Sequence, residues 1–189
     1  MILPLTSVGS FPKPDYVKGS RGRLDDNSRR ATEDFIRRQE EMGFDVLADG
    51  EFYRGDMATD YARALGLPVP EEGGWTRSYD NRFWRRGTVD RPLERPGPMQ
   101  VEQYKYAQSL ASRPVKGMLT GPTTLANWNF DNYYGNREDL VFAWADVIRQ
   151  EALALQEAGA QYIQIDEAAI GERFWEVHDG LSREALERV

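Results

Sequence analysis

Short apolar runs alternate with longer amphipathic stretches along this chain. Residues 3–8 form the first run and stop at Gly9-Ser10-Phe11-Pro12, the pattern of a buried strand entering a tight turn. Residues 13–28 are polar and rich in Gly, Pro and Asp, and read as a loop. Ser28 is placed to cap a helix whose apolar positions Ala31, Phe35, Ile36 and Met42 recur at helical spacing, with Gly43 as its stop. Residues 44–48 read as a second strand, followed at once by Asp49-Gly50-Glu51. A helix is expected over 101–110 and a third strand over 115–119, ended by Thr120-Gly121-Pro122. The pattern over 138–158 predicts a long amphipathic helix with Leu140, Phe142, Trp144, Val147, Ile148, Leu153 and Leu155 on or near its buried face and Gly159 as its end. Residues 162–165 read as a fourth strand, ended by Asp166-Glu167, and a last helix begins near Ser182. Residues 66–98 stand apart as an irregular insert rich in Gly, Pro and Arg, and its Trp75, Tyr79, Phe83 and Trp84 argue that it is ordered.

The alternation of strand and helix predicts an α/β fold with parallel strands and right-handed crossovers. The strands are short and continuously apolar, as strands covered on both faces are. A polar residue stands just past each of them: Ser10, Glu51, Thr120 and Asp166. In a (β/α)8 TIM-type barrel those are the positions that carry chemistry. Taken singly, each is equally a cap of the helix that follows. A complete barrel takes eight strands and about 250 residues. This chain of 189 residues is expected to cover roughly the first four β/α units, as one domain over 1–189. Such a half leaves strand edges and an apolar face uncovered, which predicts self-association or pairing with a complementary half-barrel.

Composition narrows the partners. The net charge of −7 argues against a nucleic-acid backbone, whose binding runs on clustered Lys and Arg. There is no cysteine, so neither a disulfide nor a thiolate zinc site can be built from this chain, and the one histidine, His178, stands outside any ligand spacing and reads as a surface residue. No apolar run approaches the roughly 18 residues of a membrane span. Residues 1–5 are apolar but follow no basic segment and are broken by Pro4, so they read as a strand and not a signal peptide. A cytoplasmic location is expected.

Five segments carry a resemblance. Val8-Gly9-Ser10-Phe11-Pro12 resembles the opening strand and loop of the catalytic domain of cobalamin-independent methionine synthases. The run from Asp49-Gly50-Glu51 through Arg54 to Asp56-Met57 is similar to that family's G-E-x-x-R-x-D-M segment. Arg95-Pro96-Gly97-Pro98 with Tyr106-Ala107-Gln108-Ser109-Leu110 resembles its R-P-x-P…Y-A-Q-S-L helix. Pro114-Val115-Lys116-Gly117-Met118-Leu119-Thr120-Gly121-Pro122 resembles its P-V-K-G-M-L-T-G-P strand and loop, and Ile163-Gln164-Ile165-Asp166-Glu167 its I-Q-I-D-E-P strand end. The blocks occur in the family's order, and the chain looks closest to the short, single-barrel members.

The resemblance implies a methyltransferase that moves a methyl group onto the thiol of homocysteine. It places the carboxylate end of homocysteine on the segment Val8-Gly9-Ser10 and its ammonium against Glu51 and Asp166. It places Arg82, Phe83, Trp128 and Glu172 against the folate donor, with Phe83 matched by position only. These residue types suit the ligands. An amino acid needs anions for its ammonium and N–H donors for its carboxylate. A flat pterin can stack on an indole such as Trp128, although a buried tryptophan is as often plain packing, and Glu172 can accept its ring N–H groups. Ala168 stands where the family has Pro. The family's zinc, held by a His, two Cys and a Glu of the later strands, makes homocysteine a thiolate nucleophile. Those ligands and the family's catalytic His have no counterpart here, so the resemblance places no catalytic residue in this chain and expects zinc only of the complete enzyme. The chain can be part of such an enzyme, one subunit of a split enzyme whose partner carries the zinc site, or a non-catalytic module that binds amino acid or folate. The related uroporphyrinogen-decarboxylase-like barrels fit the five blocks less well. The methyl donor stays open between methyltetrahydrofolate and a methyl-corrinoid protein.

Overall fold

The computed structural model describes residues 3–17, 24–77, 83–171, 174 and 180–189. The elements are α1 (Asp26–Glu41), α2 (Thr59–Ala64), β1 (Trp75–Arg77), β2 (Phe83–Arg85), β3 (Thr88–Val89), α3 (Val101–Leu110), β4 (Gly117–Thr120), α4 (Pro122–Asn127), β5 (Phe130–Asp131), α5 (Arg137–Glu157), β6 (Ile163–Asp166), a 3-10 turn (Ala168–Gly171) and α6 (Leu181–Arg188). This is a mixed α/β chain.

The four expected strand segments pair in sequence order and in parallel. Thr6 bridges Val46, and Leu47 bridges Val115, both in the parallel sense. Next along, β4 pairs with β6. The Gly117 and Gly121 N–H groups donate to the Tyr162 and Asp166 carbonyls at 2.9 Å, and the two partners rise together, as parallel strands require. The first two segments carry single bridges and not full ladders. Part of the reason is Gln39, a buried residue of α1. Its Nε2 donates to the Ala48 carbonyl at 2.8 Å and its Oε1 accepts the Ala48 N–H at 3.0 Å. A side-chain amide thus satisfies backbone groups that a neighbouring strand would otherwise take. Among the described residues these sheets remain open, and none closes into a barrel.

The chain divides into two compact units: Met1–Gly55, Gln100–Met118 and Leu153–Gln164 form the first, and Asp56–Met99, Leu119–Ala152 and Ile165–Val189 the second. In the first, Val17, Ala31, Phe35, Ala48 and Phe52 form one buried cluster, with Phe35 stacked on Phe11 at 4.5 Å and edge-on to Phe52 at 5.8 Å. The cap of α1 is Asp25 and not Ser28. The Asp25 carboxylate accepts the Ser28 N–H at 2.8 Å, and the Ser28 hydroxyl donates back to the Asp25 carbonyl at 2.9 Å. Ser28 therefore lies inside the first turn. Met42, expected on the buried face, is 62 % exposed, because it is the residue that ends the helix.

In the second unit, α5 buries Leu140, Val141, Trp144, Ala145, Val147 and Ile148. Glu151 lies on the same buried stripe. Its carboxylate takes the Arg95 Nε at 2.7 Å and the Met99 N–H at 2.9 Å, so it ties the end of the 66–98 stretch to α5. Two residues of the predicted face differ: Leu153 is 46 % exposed, and Phe142 is part-buried beneath the Arg188 guanidinium. The 66–98 stretch carries β1 and β2 as an antiparallel hairpin and β3 paired in parallel with β5. The short helices α2 and α4 and the strand β5 have too few residues for periodicity to reveal them. Among the described residues no helix is long and apolar enough to cross a membrane.

Candidate functional site

In the first unit the chain leaves its opening strand at Val8 and turns at Gly9, whose φ is +145°. A side chain on Gly9 would begin 2.3 Å from Met118 Cε and 3.7 Å from a Glu51 carboxylate oxygen. Backbone and carboxylate therefore stand side by side, and only glycine fits the turn. Ser10 is exposed. A relay holds the turn in place. Lys116 Nζ donates to the Ser7 carbonyl and, at 2.6 Å, to Gln164 Oε1. Gln164 Nε2 then donates to the Val8 carbonyl at 2.7 Å. Lys116 and Gln164 both stand in the motif blocks quoted above, and each acts across a long separation in sequence that no local pattern reveals.

Glu51 is buried, with a backbone φ of +55°, unusual for a residue with a side chain. Three bonds hold it there. Asp49 Oδ1 accepts the Glu51 N–H at 2.9 Å, Arg54 Nη2 donates to the Glu51 carboxylate at 2.7 Å, and the Arg54 N–H donates to the Glu51 carbonyl at 3.1 Å. Lys13 Nζ reaches the Arg54 carbonyl. Burial pushes the Asp49 carboxyl above the ordinary carboxylate range, opposed by the Glu51 N–H bond and the Arg54 charge. The result is a dry cluster of Asp49, Glu51 and Arg54 beside a glycine turn.

In the second unit Trp128 caps the C-terminus of α4 and is buried against Trp84, ring centroids 4.8 Å apart at 42°. Phe83 is 63 % exposed on β2. Asp166 ends β6 part-buried. Arg82, Glu172 and His178 lie outside the described residues. The neighbour of Asp166, Glu167, caps α4 from a distance: its carboxylate accepts the Thr123 N–H at 2.9 Å, the Thr124 N–H at 2.8 Å and the Thr124 hydroxyl at 2.7 Å. Burial raises the Glu167 carboxyl, and these bonds pull it back. The helix that ends on Trp128 is thus pinned to the end of β6, a role the sequence reading did not assign.

The donor set among the described residues does not fit a zinc ion. The chain has no cysteine, and among the described residues no three His, Asp or Glu side chains gather where a metal could be held.

Comparison with known proteins identifies the family. The family model described as cobalamin-independent synthase, catalytic domain, matches residues 3–179. The chain is 39 % identical over 181 residues to the 5-methyltetrahydropteroyltriglutamate–homocysteine methyltransferase of Aeromonas salmonicida, covering 90 % of this chain and 24 % of that protein. It is 40 % identical over 181 residues to the protein of that name from Bacillus licheniformis, with the same coverage. The chain spans about a quarter of the length of these curated relatives. A solved structure of a B12-independent methionine synthase from Shewanella sp. W3-18-1, in complex with selenomethionine, is similar with a TM-score of 0.85 at 29 % identity, over 100 % of this chain and 58 % of that one.

Proposed function

This chain belongs to the cobalamin-independent methionine synthase catalytic-domain family, and from that premise we propose that it supplies the substrate-binding part of a methyltransferase that makes methionine from homocysteine. On this reading its parallel strands are about the first four β/α units of a TIM-type barrel. The segment Val8-Gly9-Ser10 receives the carboxylate of homocysteine, and Glu51 receives its ammonium. Motif alone gives Asp166 a second carboxylate for that ammonium. Motif alone likewise gives Arg82, Phe83, Trp128 and Glu172 to a methyltetrahydrofolate donor. A methyl-corrinoid protein is the alternative donor. The thiol is activated elsewhere, on a complementary segment or polypeptide, since the chain has no cysteine and its described residues gather no metal-ligand set.

One observation carries the amino-acid site: a Glu51 oxygen lies 3.7 Å from the position a Gly9 side chain would take. A zwitterion needs an anion and backbone N–H donors within a few ångströms of each other, and this turn offers both. The carboxylate is already held by Arg54, and the Glu51 backbone N–H by Asp49, so little side-chain entropy is lost when an ammonium arrives. Positioning of this kind speeds a reaction only when a competent nucleophile is also present.

The test is calorimetric titration of the chain with homocysteine and with methionine, followed by a mixing assay. Glu51→Gln is expected to weaken both ligands at least tenfold. Methionine should form only when the zinc-bearing complementary half is added with a labelled methyl donor. If the chain alone makes methionine at an undiminished rate, or Glu51→Gln binds both ligands as before, the reading is wrong.

A further inference from the structure

The parallel strand segments of the first unit are apolar runs, yet two of them carry a long polar side chain. Lys116, just ahead of β4, is 5 % exposed, and Gln164 on β6 is part-buried. Strands covered on both faces are normally apolar throughout, and an ammonium taken out of water is costly to keep. Stability alone gives no reason for a lysine here, since a well-packed apolar side chain of similar volume does as well or better in a buried site.

The bonds of this pair point to the reason. Lys116 Nζ donates to the Ser7 carbonyl and, at 2.6 Å, to Gln164 Oε1, while Gln164 Nε2 donates to the Val8 carbonyl at 2.7 Å. Two successive carbonyls are thus held by one connected pair of side chains. A trans peptide sets its N–H opposite its carbonyl. Holding the Ser7 carbonyl therefore fixes the direction of the Val8 N–H, and holding the Val8 carbonyl fixes that of the Gly9 N–H. The hold matters most at Gly9, because glycine has the widest choice of backbone conformations. Among the described residues no backbone carbonyl accepts the N–H of Val8, Gly9 or Ser10. A cation at one end of a hydrogen-bonded chain also polarises it, so a carbonyl that accepts from this pair makes the N–H of its own peptide a stronger donor.

We infer that Lys116 and Gln164 are positioning residues for the α-carboxylate of the amino-acid substrate: they orient and polarise the Val8 and Gly9 N–H groups that receive it. The inference rests on the reading of Val8-Gly9-Ser10 as the carboxylate seat and adds the pair that makes the seat selective. The ammonium end of the ligand belongs to a different group, Glu51, so loss of the relay is felt at one end of the ligand only.

The experiment titrates the 189-residue chain, labelled with nitrogen-15, by NMR, which reads weak binding as well as tight. The two probes are L-methionine and 3-(methylthio)propylamine, which is methionine without its carboxylate. Wild type should bind methionine at least tenfold tighter than the amine, since hydrogen bonds to a charged group are the strong ones. Lys116→Met removes the ammonium and keeps most of the stem. Gln164→Met removes the amide at similar length. Each should weaken methionine at least tenfold and leave the amine within twofold of wild type. Gln164→Met changes no charge, so a selective loss there comes from orientation and not from the field of the ammonium, and it decides the matter if Lys116→Met fails to fold. A loss of the amine as large as that of methionine, or methionine binding unchanged in Gln164→Met, overturns the positioning role and leaves the amino-acid site standing. Equal binding of the two probes by wild type overturns the carboxylate seat and the relay with it, while Glu51 keeps the ammonium. Binding of neither probe by wild type sinks the amino-acid reading itself.

Discussion

Around Gly9 and Glu51 the first unit builds its candidate site from backbone conformation and dry charge, whereas around Trp128 the second unit builds its own from ring packing and side-chain amides. In the first, a glycine at φ +145° and a glutamate at φ +55° are held by Asp49, Arg54, Lys116 and Gln164. In the second, the indoles of Trp84 and Trp128 pack against each other, and Glu167 pins the helix between them and β6. The difference lies in tolerance. A buried ion pair loses its whole advantage when one partner goes, because the other is left charged and dry. A ring pair degrades gradually with area and shape.

The largest expected effect follows from that contrast. Arg54→Met keeps the length of the side chain and leaves Glu51 buried without its guanidinium, at 6 % exposure. Loss of one partner of a buried pair should cost about 3–5 kcal/mol in stability. Urea unfolding followed by circular dichroism measures it. A cost under about 1 kcal/mol would mean that Glu51 takes up a proton or reaches water, and the two regions would then differ less than their geometry implies.

The sequence was legible where function is written into short local conformations. The turns Val8-Gly9-Ser10 and Asp49-Gly50-Glu51 each follow an apolar run and need glycine, so both stand out from composition alone. The long helix α5 and the helix α3 also emerge from periodicity, since they have enough turns to show it. What stayed hidden acts at a distance. Nothing near Gln39 in sequence says that its amide will serve Ala48 as a strand would, and Lys116 reaches Gln164 across 48 positions. Glu167 reads as half of an acidic pair with Asp166, yet it is a helix cap supplied from another segment. The hairpin of β1 and β2 was veiled by the Gly, Pro and Arg content around it, which suits turns as well as loops.

A smaller effect should mark the aromatic region. Trp84 buries an indole N–H that has no acceptor among the described residues. Trp84→Phe loses ring area against Trp128, worth about 1–3 kcal/mol, and removes a buried donor whose lack of a partner costs about 1–3 kcal/mol. The two nearly offset, and the net change should be about 1 kcal/mol or less, read from the same urea midpoints. A loss as large as that of Arg54→Met would show that the ring pair is as brittle as the charge cluster, and the contrast between the regions would fail.

The smallest effect concerns Asp49 and is best seen in its pH dependence. Burial raises the Asp49 carboxyl above its ordinary value, so the folded chain holds that proton more tightly than the unfolded chain does. The stabilisation that goes with the bound proton is therefore fully present below the unfolded pKa of about 3.9, and it is lost as pH rises through the folded value. Glu40 works in the opposite sense. Its carboxyl is lowered by the Ser112 hydroxyl and N–H, so its contribution is lost as pH falls. Wild-type stability mixes the two slopes, and only a difference between proteins isolates Asp49. Asp49→Asn keeps an oxygen for the Glu51 N–H and carries no charge to desolvate, although it forfeits the attraction of Arg54. At pH 7 these changes should leave stability within about 1 kcal/mol of wild type. Between pH 4 and pH 7 the wild type should lose stability relative to Asp49→Asn, as the wild-type carboxylate is forced to ionise in a dry site. Urea midpoints of both proteins at half-unit pH intervals give the curve. A difference that stays flat across that window, or that slopes the other way, would show that Arg54 outweighs burial at Asp49 and that the cluster is held together as an ion triad.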